Sequence, residues 1–282
     1  MDFFREQQMP ELPEVEVSRR GLLPHLPGQH ISRVVVRAPK LRHEIPPDLA
    51  ERLSGARLSA IERRGKYLLF ACEGRLSSGY LILHLGMSGS LRLVPNETPP
   101  QKHDHLDLVF PRTTLRLRDP RRFGAVLWHT GPPGEHPLIA VLGIEPLSPV
   151  FDGDWLYAAT RKRTTPIKPL LMDSHLIVGI GNIYAAESLF RAGIAPTRPA
   201  NSLGRQRCQR LATAIRATLE ESIAAGGSSV RDYVHSDGGA GSFQVACAVY
   251  GRKDLPCLVC GTPIRAVRQA GRATFHCPRC QR

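Results

Sequence analysis

The stretch KYLLFACEGRLSSGYLILHLG, residues 66–86, sets the architecture of the first half of the chain. Two short runs of branched and aromatic residues flank a turn-forming GRLSSG, the pattern of neighbouring antiparallel strands. The same kind of segment recurs on both sides: HISRVVVRA (30–38), SLRLV (90–94), HLDLVF (105–110), TLRLRD (114–119) and GAVLWH (124–129). Short strands separated by Gly, Pro and charged turns specify an antiparallel sandwich or barrel with one packed core. Ahead of them, PELPEVEVSRRGLLPHL (10–26) reads as a helix. Pro13 suits an early helical position, and Val17, Leu22 and Leu26 are placed to share an apolar face.

Beyond residue 129 the alternation fades. HTGPPGEHPLIAVLGIEPLSPV (129–150) is proline-rich and reads as a connection, with a linker over 136–150. NIYAAESLFRA (182–192) and LGRQRCQRLATAIRATLEESIAA (203–225) have helical composition. Asn201 or Ser202 is the expected cap of the second, and Gly226-Gly227 its stop. SDGGAGS (236–242) reads as a mobile loop. The division expected is a possible extension or mis-assigned start over 1–9, a β domain over 10–135, a helical domain over 151–245 and a metal-binding appendix over 246–282.

The 282 residues carry 38 Lys+Arg against 25 Asp+Glu, a formal charge of +13. Such a surface favours polyanions, nucleic acid first and an acidic membrane surface second. No apolar run reaches the roughly 18 residues of a membrane-spanning helix, and the first residues lack the pattern of a secretory signal. Aromatic residues make up 6% of the chain, which argues against a long platform for stacking single-stranded bases.

Four of the seven cysteines crowd the last 26 residues as Cys257-x2-Cys260 and Cys277-x2-Cys280. Two such pairs across a hairpin make a tetrahedral all-sulfur site with no open position, a structural Zn²⁺ site in a reducing compartment. Iron accepts the same ligands less commonly. Between the pairs, GTPIRAVRQAGRATFH (261–276) places Arg265, Arg268 and Arg272 on an expected two-stranded ribbon. Cys72, Cys208 and Cys247 stand apart from this cluster.

Four further stretches, with this ribbon, carry a resemblance: MPELPEVE (9–16), HLGMSG (84–89), DPRRFG (119–124) and IKPLLMDSHLIVGIGNIYAAESLF (167–190). Together they resemble the formamidopyrimidine-DNA glycosylases, and the likeness runs from Met9 almost to Arg282. It implies a multidomain α+β protein: an N-terminal antiparallel β-sandwich with an N-terminal helix, then a helix-two-turn-helix domain with a zinc ribbon. These clamp duplex DNA that contains oxidised bases or abasic sites, in a monomer that works in the cytoplasm on the nucleoid. The implied activity is that of a bifunctional glycosylase and abasic-site lyase for oxidised purines, 8-oxoguanine and formamidopyrimidines, acting through a proline Schiff base and β,δ-elimination. The related endonuclease VIII group, which takes oxidised pyrimidines, usually opens PEGPE; Leu12 points to the purine branch. A non-catalytic damage-binding protein is the third reading.

The resemblance makes Pro10 the nucleophile, Glu11 the general acid/base and Glu14 its support, with a weaker claim for Glu16. Lys66 is assigned to the phosphate beside the lesion. Lys66 and Lys168 are also the rival amines, since lysine is the usual Schiff-base former. His84, Lys168, Asn182 and Arg272 are implied DNA contacts. Met87, Arg121 and Phe123 would fill the hole left by an extruded base, with Arg122 on the backbone, and the loop 232–243 would cover that base. One departure matters. MDFFREQQ precedes Met9, and a proline inside a chain has a tertiary amide nitrogen that cannot form a Schiff base, so Met9 is the expected initiator.

Overall fold

The computed structural model describes residues 10–74, 78–227 and 247–282. Glu11 caps α1 (Leu12–Leu22), and Pro13 lies in its first turn, where a missing N–H costs nothing. The strands β1 (Arg33–Val36), β2 (Arg57–Arg64), β3 (Tyr67–Glu73), β4 (Ser78–His84), β5 (Ser90–Val94), β6 (Asp104–Val109), β7 (Thr114–Arg118) and β8 (Ala125–His129) follow, with the short helix α2 (Leu49–Leu53) between β1 and β2. They form two four-stranded antiparallel sheets, ordered β2-β3-β4-β8 and β1-β6-β7-β5. One apolar core joins them. Leu58, Phe70, Leu81, Leu83 and Val126 of the first sheet pack with Leu91, Leu106, Leu108, Leu115 and Leu117 of the second, and Val15, Leu22 and Leu26 enter from the α1 region. This is the sandwich the alternation predicts. Val17 does not share the apolar face expected of it: it is half-buried, and Leu12 and Val15 are the buried apolar residues of that turn.

The chain divides into two compact units near residue 142. In the second, α4 (Gly153–Thr160), α5 (Ile167–Leu171), α6 (Asn182–Arg191) and α7 (Arg205–Ala224) follow α3 (Pro137–Ala140) of the first. Their core gathers Phe151, Leu156, Tyr184, Leu189, Leu211, Ile215 and Leu219. The later part of the proline-rich stretch is bonded into this unit: Gly143 N–H donates to Ser174 O at 2.9 Å, and the Arg216 guanidinium donates to the carbonyls of Leu147, Ser148 and Phe151.

The cap of α7 differs from expectation. Asn201 and Ser202 are taken up in a 3-10 turn over Ala200–Ser202, and Gly204 occupies the cap position. Gly226 and Gly227, at φ +85° and +87°, follow the end of the helix as predicted. The ribbon β9 (Arg265–Gln269) and β10 (Arg272–His276) pairs antiparallel around Ala270-Gly271. The loop 232–243, the glycine run 236–242 and residues 1–9 lie outside the described residues.

Candidate active site and nucleic-acid interface

Pro10 stands immediately before α1, and the acids that follow it are buried. Glu11 is 2% and Glu14 3% exposed. The two close a capping box: the Glu11 side chain accepts the Glu14 backbone N–H, and the Glu14 carboxylate accepts the Glu11 N–H at 2.9 Å. Two of the helix's orphan donors are thereby satisfied and both carboxylates are fixed beside Pro10.

Glu16 has a different environment. It receives Arg19 at 2.8 Å, Arg20 at 2.8 Å and Arg63 at 3.1 Å. Burial alone would raise its pKa, but the hydrogen bonds from Arg19, Arg20 and Arg63 hold it at about 2. A carboxylate so firmly ionised is a structural anion that ties α1 to β2 and is a poor proton donor near neutrality.

Lys66 follows Gly65, which turns β2 into β3 at φ +57°. The antiparallel register sets Tyr67 opposite His84, and their rings lie 4.8 Å apart. His84 Nδ1 accepts the Gly86 N–H at 3.0 Å, so in the neutral ring the proton sits on Nε2. Burial, followed by the positive charges of Lys66 and Arg42, pushes its pKa down to about 4. His84 is thus an uncharged donor beside two cations, a set suited to a phosphate.

His84 also opens the turn that carries Met87, which is half-buried. The neighbouring turn carries Arg121, Arg122 and Phe123, all exposed. Phe123 is 44% exposed, and the Arg121 guanidinium lies 4.9 Å from its ring centre. An exposed aromatic with a cation against its face offers a flat apolar surface that a planar ring could stack on.

In the second unit, α5 and the start of α6 meet the ribbon. Lys168 is 1% exposed, and its Nζ donates to Asn182 Oδ1 and, at 2.9 Å, to Thr274 Oγ1. Asn182 Nδ2 donates to Ala273 O at 3.0 Å. Lys168, Asn182 and the ribbon strand that starts with exposed Arg272 therefore form one hydrogen-bonded group. Glu187 carries no sequence prediction, yet its carboxylate accepts three consecutive backbone N–H groups, those of Ala248, Val249 and Tyr250, at 2.8–3.0 Å. It fastens the chain that enters the ribbon to α6. An acidic residue amid the buried positions Tyr184, Ala185, Ala186 and Leu189 is the signal that marks it.

The sulfur atoms of Cys257, Cys260, Cys277 and Cys280 all lie within 4.8 Å of one another, with Cys260–Cys277 at 3.5 Å and Cys257–Cys280 at 3.9 Å. Zn–S bonds of about 2.3 Å in a tetrahedron set neighbouring sulfurs about 3.8 Å apart. The donor set fits a structural zinc. Bound there, the ion would hold the two knuckles together at the base of the ribbon.

One unit is a sandwich headed by a proline and two buried carboxylates, and the other is a helical unit closed by a four-cysteine ribbon. Family models match along the chain: the formamidopyrimidine-DNA glycosylase N-terminal domain at 9–126, its H2TH domain at 142–234, and the zinc finger found in FPG and IleRS at 254–282. The chain belongs to the formamidopyrimidine-DNA glycosylase family. Formamidopyrimidine-DNA glycosylase of Dechloromonas aromatica is 63% identical over 276 residues, covering 97% of this chain and all of its own. The Bordetella petrii protein of the same name is 54% identical over 278 residues, again covering 97% of this chain and all of its own. Among solved structures, the Thermus thermophilus MutM (Fpg) protein superposes with a TM-score of 0.83 at 42% identity, covering 96% of this chain and 98% of its own. The Lactococcus lactis enzyme bound to DNA containing an abasic site superposes with a TM-score of 0.87 at 35% identity, covering 96% and 99%. A variant of that enzyme bound to Fapy-dG DNA gives 0.88 at 36%, covering 97% and 100%.

Proposed function

We propose that the chain excises oxidised purines, 8-oxoguanine and formamidopyrimidines, from duplex DNA and then cleaves the strand at the abasic site. The observation that carries this reading is the head of α1, where Pro10 adjoins two buried carboxylates held in register by each other's backbone. With residues 1–9 removed, Pro10 becomes the amino terminus and a secondary amine. An α-amino group titrates near 8, about 2.5 units below lysine, so a useful fraction is unprotonated at neutral pH. Its nitrogen attacks C1′ of the damaged nucleotide as the bond from C1′ to the base breaks; the C1′–O4′ bond then opens, O4′ takes a proton, and an iminium ion is left at C1′. The iminium acidifies the C2′ proton, whose removal expels the 3′ phosphate, and a second elimination expels the 5′ phosphate. Glu11 moves the proton at the deoxyribose, and Glu14 holds Glu11.

The remaining assignments are those the family resemblance implies. Lys66 and His84 contact the phosphate beside the lesion. Asn182 and Arg272 bind the backbone, with Lys168 fixing Asn182 from beneath. Met87, Arg121 and Phe123 occupy the space the extruded base leaves, against an unstacking cost of a few kcal/mol. The functional divisions proposed are a β domain over 10–135, a helical domain over 151–245 and a metal-binding appendix over 246–282, and the setting proposed is the cytoplasm, on the nucleoid. Among the described residues no helix is long and apolar enough to cross a membrane.

The test is excision from duplexes carrying 8-oxoguanine or thymine glycol, by protein shown to begin at Pro10. Faster release of 8-oxoguanine with strand cleavage supports the reading. Preference for thymine glycol would move the chain to the pyrimidine branch, and tight binding with no cleavage would make it a damage-binding protein.

A further inference from the structure

The turns that carry Met87 and Arg121–Phe123 are separated by more than thirty residues of sequence, yet one buried carboxylate serves both. Asp119 is fully buried, with 0% exposure. Its Oδ1 accepts the Ser88 hydroxyl at 2.7 Å, and its Oδ2 accepts the Gly124 N–H at 2.7 Å. Ser88 Oγ in turn accepts the Arg121 N–H at 3.1 Å. The residue after Met87 is thus linked to the backbone of Arg121 directly, and through Asp119 to the residue after Phe123.

The backbones are equally close. Gly86 has φ +64°, and a Cβ there would lie 2.3 Å from the Phe123 carbonyl carbon; at Gly124 a Cβ would lie 2.8 Å from His84 O. Arg122 sits in the left-handed region at φ +55°, uncommon for a residue with a side chain, and its N–H donates to Asp119 O at 3.2 Å. The Asp119 carbonyl also bonds the His105 ring at 2.9 Å, which anchors the turn to β6. The two side-chain bonds of Asp119 both end on the two turns.

We propose that Asp119 and Ser88 are positioning residues that set the spacing between Met87 and the Arg121–Phe123 pair before DNA arrives. This rests on the reading of those three side chains as fillers of the vacated stack. Ordering mobile side chains at an interface costs conformational entropy, so a set held at fixed spacing intercalates more readily than one that must assemble on the DNA. Charge-assisted bonds such as those to Asp119 suit this task, being short and strong.

Ser88→Ala removes both the bond to Asp119 and the acceptor of Arg121 N–H, Asp119→Asn weakens the bonds to Ser88 and Gly124, and neither touches the head of α1. The readouts are single-turnover release of 8-oxoguanine from duplex, fluorescence of 2-aminopurine opposite the lesion, and strand cleavage at a preformed abasic site in single-stranded DNA, where no stack needs filling. Loss of a hydrogen bond to a charged group predicts about a tenfold to hundredfold slower duplex release and a delayed 2-aminopurine signal. Cleavage of the single strand should stay within about twofold of the unsubstituted protein, because the amine chemistry is intact. Wild-type duplex rates in Ser88→Ala and Asp119→Asn would overturn the proposal, as would equal losses on both substrates, which would mark a general structural role. Failure of the unsubstituted protein to release 8-oxoguanine would instead overturn the functional reading, and this positioning role with it.

Discussion

The Glu14 carboxylate holds the backbone N–H of Glu11 at 2.9 Å, and Glu11 returns the bond to the N–H of Glu14. Each acid therefore fixes the residue that fixes it, and the pair is set where Pro10 meets α1. The capping box accounts for the pair as structure, and the proton-transfer role proposed for Glu11 needs a carboxylate fixed in this way.

Glu11→Gln keeps an acceptor oxygen for the cap and removes the titrating group. Base release from duplex should fall about 10²- to 10⁴-fold, the range for loss of a general acid/base. Thermal stability should change little. Single-turnover kinetics beside a thermal melt separate the two effects, and a large drop in Tm with modest kinetic loss would make Glu11 a cap only.

His84 and Glu16 predict stability changes in two pH windows that overlap only between about pH 4 and 4.5. His84 has a folded-state pKa of about 4 against 6.5 when unfolded, so the unfolded chain binds more protons between those values. Its stability contribution is present above pH 6.5 and is lost as the pH falls toward 4. Glu16, at about 2 against 4.5, contributes above pH 4.5 and loses that contribution as the pH falls toward 2. Urea midpoints measured from pH 7 to pH 4.5 should fall in the parent, and the part of the slope due to His84 should vanish in His84→Gln. An unchanged slope would contradict the neutral, half-buried ring.

Glu187→Gln leaves three backbone donors at Ala248, Val249 and Tyr250 to a weaker acceptor. Hydrogen bonds to a charged group contribute about 1.5–3 kcal/mol each, and an uncharged amide retains part of that. Hydrogen exchange across the ribbon should speed up, and zinc should leave faster to a chromogenic chelator. Metal analysis should give one zinc per chain for the parent and none after Cys277→Ser with Cys280→Ser.

Cys72 is buried, and burial pushes its pKa up to about 12. At pH 7.5 it should resist iodoacetamide in the folded protein and react once the chain is unfolded, as mass spectrometry of the labelled peptide would show.

The sandwich was readable because its strands alternate in short runs, and the ribbon because paired cysteines at close spacing have few other uses. β2 was less visible: RLSAIERR buries Leu58 and Ile61 among charges that stay exposed or half-exposed, so its inward face is sparse. The α7 cap misled because Asn201 and Ser202 have capping side chains but are held in a turn started by Pro199, where the Ser202 hydroxyl donates to Pro199 O. Asp119 and Glu187 lay beyond local reading for a different reason. Their partners, Ser88 and the residues from Ala248 onward, are 31 and about 60 positions away, and only the fold brings them together.

The central claim is that the Pro10 nitrogen forms the covalent link to DNA, and borohydride trapping tests it most directly. Protein shown by mass to begin at Pro10 is incubated with 8-oxoguanine duplex and reductant, and the adduct is mapped by peptide mass spectrometry. A stable cross-link on the Pro10 peptide, lost in Pro10→Gly, is the predicted result. A cross-link on Lys66 or Lys168, or undiminished trapping and strand cleavage after Pro10→Gly, would contradict it.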